Sequence, residues 1–408
     1  MKDYNEKLNK NIKLGYIYNI LINFNITNAI WVIYMSSKGM SLMEIGIAEG
    51  VYHAASFLSE VPTGALADIY GRKSSLILAR ISAIISAVIM MFSNNLAGFA
   101  IGFVFSALGN TLNSGAGDSL IYDSLKELGR HLEYKKMFGG IIMLGEISKA
   151  VAVLTGGILS DKGFIYAYIG CLVIETVTLL IATNFKEPTA REEREERKER
   201  VSIIYQMRDS ITILKDRKIV MYLIMFSALI STVGTTIYFF CQKYLETMNY
   251  SKTSISIVFA IYCLSFGLTS KYAYKVENKL KGKGIVVLLP IINAIAIIGV
   301  ALSSKGYAVI FFLIMSIVEG LAYPIFSDYI NSLIPSEYRA TILSMESCFF
   351  SIFMIVIFPL VGYISEIFGM SLGFVMSTTI YIPLMIFIVL KLKKHEMINN
   401  QEMKNEVV

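Results

Sequence analysis

Charge is what this 408-residue sequence has least of: Asp, Glu, Lys and Arg together make up 17 %, against about 25 % in a soluble domain. That is too little to solvate a globular surface of this size. Proline is scarce as well, with 7 residues, few for the turns that two or three soluble domains need. The four cysteines, Cys171, Cys241, Cys263 and Cys348, show no close pairing, which excludes a disulfide scaffold or a thiolate zinc site. The three histidines, His53, His131 and His395, are scattered, so no multi-histidine metal centre is expected. No Ser/His/Asp grouping accompanies them, and an enzyme is not expected. There is no Gly-x4-Gly-Lys-Ser/Thr phosphate loop, so ATP is not the energy source. No cofactor is expected either. What the chain does have is 55 % apolar residues, with 24 Phe and 24 Tyr, which excludes disorder. A polytopic membrane protein remains.

A helix needs roughly 20 apolar residues to cross a bilayer core of about 30 Å. Twelve spans satisfy this reading: 12–35, 44–67, 74–94, 96–122, 137–160, 163–184, 219–242, 253–274, 284–303, 306–332, 340–364 and 371–391. Spans 1, 2, 4, 5 and 10 carry polar residues, which marks faces turned toward protein or a cavity. The polar start Met1-Lys2-Asp3-Tyr4 shows no cleavable signal. Lys and Arg set the orientation. On the side opposite the termini only Lys38, Lys162, Lys243, Lys252 and Lys305 occur, and Arg80 and Lys149 lie inside spans. All remaining basic residues fall on the side of the termini, which is therefore expected to be cytoplasmic. The net charge of +6 then reflects topology and attraction to anionic lipid, and no nucleic-acid partner is expected.

Residues 185–218 interrupt the pattern. Within them, Glu187 to Arg200 alternates charges of both signs at helical spacing, and Val201 to Ile213 is amphipathic, suited to the inner membrane face. The expected organisation is a six-helix half over 1–184, a cytoplasmic linker over 185–218, a second six-helix half over 219–394 and a tail over 395–408. A weak internal repeat relates the halves. Span 4 runs into Asp123 and then Tyr134, and span 10 runs into Asp328 and then Tyr338. Duplicated six-helix halves are a transporter plan, with the substrate site near the midplane.

The connection between spans 2 and 3 reads Glu60-Val61-Pro62-Thr63-Gly64-Ala65-Leu66-Ala67-Asp68-Ile69-Tyr70-Gly71-Arg72-Lys73. It resembles the major facilitator superfamily signature Gly-x-Leu-Ala-Asp-x-x-Gly-Arg-Lys, lacking only the basic residue that often follows the aspartate. The resemblance implies an all-α polytopic membrane protein with twelve transmembrane helices in two six-helix halves, and a conformational latch formed by Gly64, Asp68, Gly71, Arg72 and Lys73. Physically, Gly64 allows close helix approach, Gly71 a tight turn, and Arg72 and Lys73 a cytoplasmic anchor. The counterpart Ser270 to Lys281 keeps its charges and has lost the glycines. The spacing of Glu60, Pro62, Asp68, Arg72 and Lys73 is similar to that in clostridial-class tetracycline exporters. Two features of drug:proton antiporters are absent: Asn110 and Asn113 stand where an arginine is common in helix 4, and helix 5 has no Gly-Pro kink.

An ionisable residue inside a span costs roughly 2.5–3.5 kcal/mol on insertion scales and marks function. Glu49, Glu60, Asp118, Glu146, Glu175, Glu319 and Glu346 lie inside spans, and Arg80 is placed to snorkel toward the cytoplasmic end. Glu49, His53 and Glu60 share a helix face. Glu146 and Lys149 are spaced to pair. Burial favours the neutral form of a carboxylate, which proton exchange near neutral pH needs. The proton-coupling candidates are Glu60, Glu146 and Glu319. The cavity candidates are Asn23, Asn28, Trp31, Asn110, Asn113, Asp118 and Tyr238, a polar and aromatic set suited to amphipathic or cationic ligands. The expected function is proton-coupled secondary transport by alternating access, with export of drugs or other amphipathic small molecules. The alternatives are uptake of a small nutrient in the same fold and, remotely, a non-transporting sensor. The expected partners are a small-molecule substrate, protons and the bilayer, and a monomer is expected.

Overall fold

A computed structural model describes residues 2–130, 133–188, 218–334 and 339–394. The expected amphipathic segment 201–213, Tyr338 of the repeat and the tail 395–408 lie outside the described residues.

Among the described residues the chain is all helical. The helices are α1 (Lys2–Ile22), α2 (Trp31–Ser37), α3 (Leu42–Tyr70), α4 (Arg72–Phe92), α5 (Leu96–Glu127), α6 (Tyr134–Lys162), α7 (Phe164–Thr183), α8 (Lys218–Thr247), α9 (Lys252–Leu302), α10 (Lys305–Ser332), α11 (Arg339–Phe368) and α12 (Met370–Lys394). Ten membrane-length apolar stretches lie on α4 to α12, two of them on α9. The exceptions are the first two expected spans.

Span 1 is not one helix. The chain leaves α1 at Ile22 and turns before α2 begins at Trp31. The cause is local: Asn25 Oδ1 accepts from the Thr27 N–H (3.2 Å) and hydroxyl (3.0 Å), an Asx-type turn that competes with the helix ladder. Spans 8 and 9 show the reverse. The loop expected near 275–283 is helical, and α9 is continuous from Lys252 to Leu302. Its Lys-rich middle contains no proline to stop a helix.

The described residues fall into two compact units. The first draws on Met1–Met40, Val51–Val201 and Tyr250–Ala260; the second draws on Ser41–Gly50, Ser202–Asn249 and Ile261–Val408.

In the first unit α4 packs closely along α5. Gly109 lies beneath the Ala79 carbonyl, with 3.0 Å to where a Cβ would sit. The Ser75 and Ser86 hydroxyls bond the Leu112 and Gly102 carbonyls (2.7 and 2.8 Å). Small residues and hydroxyls are the usual means of holding helices together in lipid. Tyr18, Leu76, Leu120, Ala182 and Phe185 form one apolar core. Arg80 does not snorkel. It pairs with Glu175 of α7 at 2.8 Å, the two side chains only 7 % and 16 % exposed. The Coulomb attraction of a near partner in a low dielectric outweighs a reach to the interface.

In the second unit α8 is the central helix, buried along most of its length. Phe226 packs on Phe326 and Phe240 on Phe358, with ring centroids 4.4 Å apart in each pair.

Candidate functional site

In the first unit the polar side chains converge on α5. Asn110 donates to the Tyr52 hydroxyl at 2.8 Å. The Tyr18 hydroxyl donates to Asn113 Oδ1 at 2.6 Å. Arg80, paired with Glu175, lies over the Tyr18 ring, 5.8 Å from its centroid. Glu175 (α7), Arg80 (α4), Tyr18 (α1) and Asn113 (α5) thus meet across four helices, and nothing in their sequence spacing signals this.

Asp118 is half-buried on the same helix. Glu146 and Lys149 of α6 pair at 2.7 Å, as their spacing implied, with exposures of 19 % and 45 %. Asn23 donates back to the Asn19 carbonyl (2.8 Å), and its amide lies over Gly145, 3.1 Å from where a Cβ would be. Asn28 sits in the turn between α1 and α2. Trp31, expected in a cavity wall, is 7 % exposed and edge-on to Phe103 at 5.3 Å. The break before α2 carries this ring into the core. His53 is buried against Tyr52, the rings 5.1 Å apart, and Glu60 is half-buried.

The expected latch region is built around a helix start. Gly71 has φ +95°, a left-handed conformation that glycine adopts without strain, and α4 begins at the next residue. The N–H groups of Arg72 and Lys73 both donate at 2.8 Å to the Glu187 carboxylate. The Arg72 side chain pairs with Asp123 of α5 at 3.1 Å. Glu187, expected at the start of a solvated linker, is thus tied to α4. Residues 185–187 are instead part of the first unit: Phe185 is buried against Tyr18, and Lys186 bonds Asn11 through both its N–H (2.8 Å) and its carbonyl (2.7 Å). Gly64 departs from expectation, since a Cβ there would meet nothing within 4 Å. The side chain of Asp68 lies outside the described set. The Glu187 contact carries a prediction. A charged cap on two free N–H groups at a helix N-terminus is worth about 1–2 kcal/mol, so Glu187→Ala should lower the thermal unfolding temperature of the purified protein. Glu187→Gln should lower it less.

In the second unit the polar centre is Glu319 on α10. Tyr262 of α9 donates to its Oε2 at 2.7 Å. Its Oε1 is buried and has no hydrogen-bond partner among the described residues. Gly234 of α8 lies directly against this oxygen, and any side chain there would collide with the carboxylate. Tyr238 stacks beside the site, 5.1 Å from Tyr262 and 6.2 Å from Phe312 between ring centroids. A second acid, Glu346 of α11, meets the Ser227 hydroxyl at 2.5 Å. Among the described residues no cluster of His, Cys, Asp and Glu is arranged to hold a metal.

The comparisons with known proteins agree with this architecture. The chain is 25 % identical over 392 residues to the uncharacterised MFS-type transporter YxaM of Bacillus subtilis (strain 168), covering 91 % of this chain and 94 % of that one. Its fold is similar to the nucleoside transporter NupG (TM-score 0.76, 15 % identity, 95 % of this chain and 99 % of that one). It is also similar to a D-xylose–proton symporter (TM-score 0.71, 11 % identity, 95 % and 97 %). The family model for the Major Facilitator Superfamily matches residues 14–345 and 244–406. The chain is thus a multi-pass membrane transporter, and it belongs to the Major Facilitator Superfamily.

Proposed function

We propose that this transporter works by alternating access and couples export of amphipathic, cationic small molecules to proton entry, with Glu319 as the proton carrier. The observation that carries this reading is the buried Glu319 carboxylate with one oxygen bonded to Tyr262 and the other unpartnered. Among the described residues this carboxylate has no ion-pair partner, and leaving it ionised in a low dielectric is costly. Taking up a proton or a cationic substrate relieves that cost, and the two compete for one site. The half-buried Tyr238 ring, packed on Tyr262 and Phe312 beside the acid, offers a face to an aromatic cation. Glu146, held by Lys149, and Glu60 are the further coupling candidates. In this reading both termini are cytoplasmic, the segment around 189–217 connects the halves, and the Gly71-Arg72-Lys73 turn with Asp68 acts in the latch.

A second reading, proton-coupled uptake of a small neutral nutrient, has its own observation: the Asn113 amide, held by the Tyr18 hydroxyl, and the neighbouring Asn110 suit a ligand rich in neutral hydrogen-bonding groups. Expression in an efflux-deficient bacterium separates the two. Export predicts at least a fourfold rise in the growth-inhibiting concentration of ethidium or tetraphenylphosphonium and faster ethidium loss from preloaded, energised cells. Unchanged susceptibility with unchanged ethidium loss would remove the export reading.

A further inference from the structure

The connection from Ser270 to Lys281, which keeps its charges without the glycines, takes no part in the transport chemistry proposed above. Its bases also differ from those of the first half in what they meet. In the first unit Arg72 pairs with Asp123 at 3.1 Å, and its N–H donates to Glu187 at 2.8 Å. In the second unit, among the described residues, Lys271 and Lys275 rest on aromatic rings and not on carboxylates. Lys271 Nζ lies 5.7 Å from the Tyr272 ring centroid. Lys275 Nζ lies 4.9 Å from the same centroid and 5.9 Å from that of Tyr274. A tyrosine face attracts an ammonium group without cancelling its charge. Two like charges are thus gathered at one ring, and an anion between them would relieve their repulsion.

The helix face that carries these lysines is continuous with one that faces lipid. Ile261, Leu264 and Leu268 of α9 are 43 %, 45 % and 60 % exposed. They lie on a membrane-length apolar stretch, so their exposed surface meets acyl chains and not water. At 100° per residue these three side chains and Lys271, Lys275 and Lys279 all start within one arc of about 80°. Tyr272 and Tyr274 flank the arc on its two sides, and all five of these polar residues are exposed. Ala273, 2 % exposed, marks the side of the helix packed on protein. Glu277, the one acid between Ser270 and Lys281, starts on that side too, roughly half a turn from the lysines.

The depth also fits. α9 begins at Lys252, and Lys271 follows about 29 Å further along the axis, against about 30 Å for the hydrocarbon core. The level is fixed to the bundle, because the Ser270 hydroxyl donates to the Gly320 carbonyl of α10 at 3.0 Å. Lysine ammonium groups and tyrosine rings at this level stand among lipid headgroups. We infer that Lys271, Tyr272 and Lys275, with Lys279 one turn beyond, bind one anionic phospholipid of the leaflet on the side of the termini. Its phosphate sits between the two ammonium groups and an acyl chain lies along Leu268, Leu264 and Ile261. A free phosphate offers the same charge but nothing for the apolar row.

The test needs neither a transport substrate nor a proton gradient. The purified full-length chain in detergent is titrated with dioleoyl phosphatidylglycerol or dioleoyl phosphatidylcholine, and the first bound lipid is counted by native mass spectrometry. Phosphatidylglycerol should bind about tenfold tighter, the scale expected for two lysines facing an anionic headgroup. Lys271→Gln combined with Lys275→Gln should bring the two lipids to within about twofold of each other. Lys271→Arg combined with Lys275→Arg should keep the preference, which ties the loss to charge and not to misfolding. Lys391→Gln combined with Lys393→Gln removes as much charge from the end of α12, where Lys391 lies over Phe387 at 5.3 Å, and should also keep it. Equal binding of the two lipids by the parent would overturn the inference. So would an equal loss in the α12 variant, because that is diffuse attraction to a basic surface. Displacement of the phosphatidylglycerol by millimolar inorganic phosphate would overturn it as well, since the site would then hold phosphate and not a lipid.

Discussion

Glu319→Gln should abolish uphill transport while leaving the protein folded and able to exchange substrate. The amide has the shape of the carboxyl and keeps an acceptor for the Tyr262 hydroxyl, the one hydrogen bond that the site makes among described residues. It removes only the capacity to cycle between charged and neutral forms. In inverted vesicles energised by a pH gradient, ethidium accumulation should fall to the level of vesicles without the protein. Ethidium counterflow, which needs rocking but no net proton movement, should remain within a few-fold of the parent. Retained uphill accumulation would move the proton to another group, with Glu146 and Glu60 next in line. Glu146 is the weaker candidate because Lys149 already balances its charge at 2.7 Å.

The second large effect is expected at Arg80. Removing it leaves Glu175 as an uncompensated charge inside the first unit, and breaking a buried ion pair from one side costs about 3–5 kcal/mol. Arg80→Met should therefore lower the thermal unfolding temperature sharply, or prevent recovery of monodisperse protein from membranes. Arg80→Met combined with Glu175→Leu should recover most of that loss, since apolar groups of similar volume replace a buried pair at little net cost. The double variant carries a second consequence. With Arg80 gone, the Tyr18 ring that bonds Asn113 loses the cation lying over it. Stability should return while transport stays impaired, which would separate the part the pair plays in the fold from the part it plays beside Tyr18. If single and double variants both unfold at the parent temperature, the pair contributes nothing to the fold.

How far the sequence foretold these residues depends on how local their signals are. Span positions were legible because each is a contiguous apolar run, and the 60–73 signature was legible because its glycine, acid and bases sit close in the chain. The break at 23–30 was hidden because asparagines serve equally well as cavity lining and as turn formers; only the Asn25–Thr27 geometry distinguishes the two. Arg80 was read as a snorkelling residue because Glu175 is 95 positions away. Glu187 was assigned to the linker by its charged surroundings, although its carboxylate ends on backbone N–H groups of α4. Backbone donors carry no residue type, so no pattern of side chains announces them.

The broken first span and the charged α3 also bear on how the chain enters a membrane. Ten apolar stretches are long enough and greasy enough to partition into lipid by themselves. α1 with the seven-residue α2, and α3 with Glu44, Glu49, His53 and Glu60, are not among them. These segments reach the insertion machinery before α4. Several of their polar groups pair with later helices: Tyr18 and Tyr52 at Asn113 and Asn110 of α5, Ser59 at Thr111, and the Leu42 N–H at Glu366 of α11. The polar contacts to α5 and α11 thus add to the modest hydrophobicity of these first helices in holding them within the bundle.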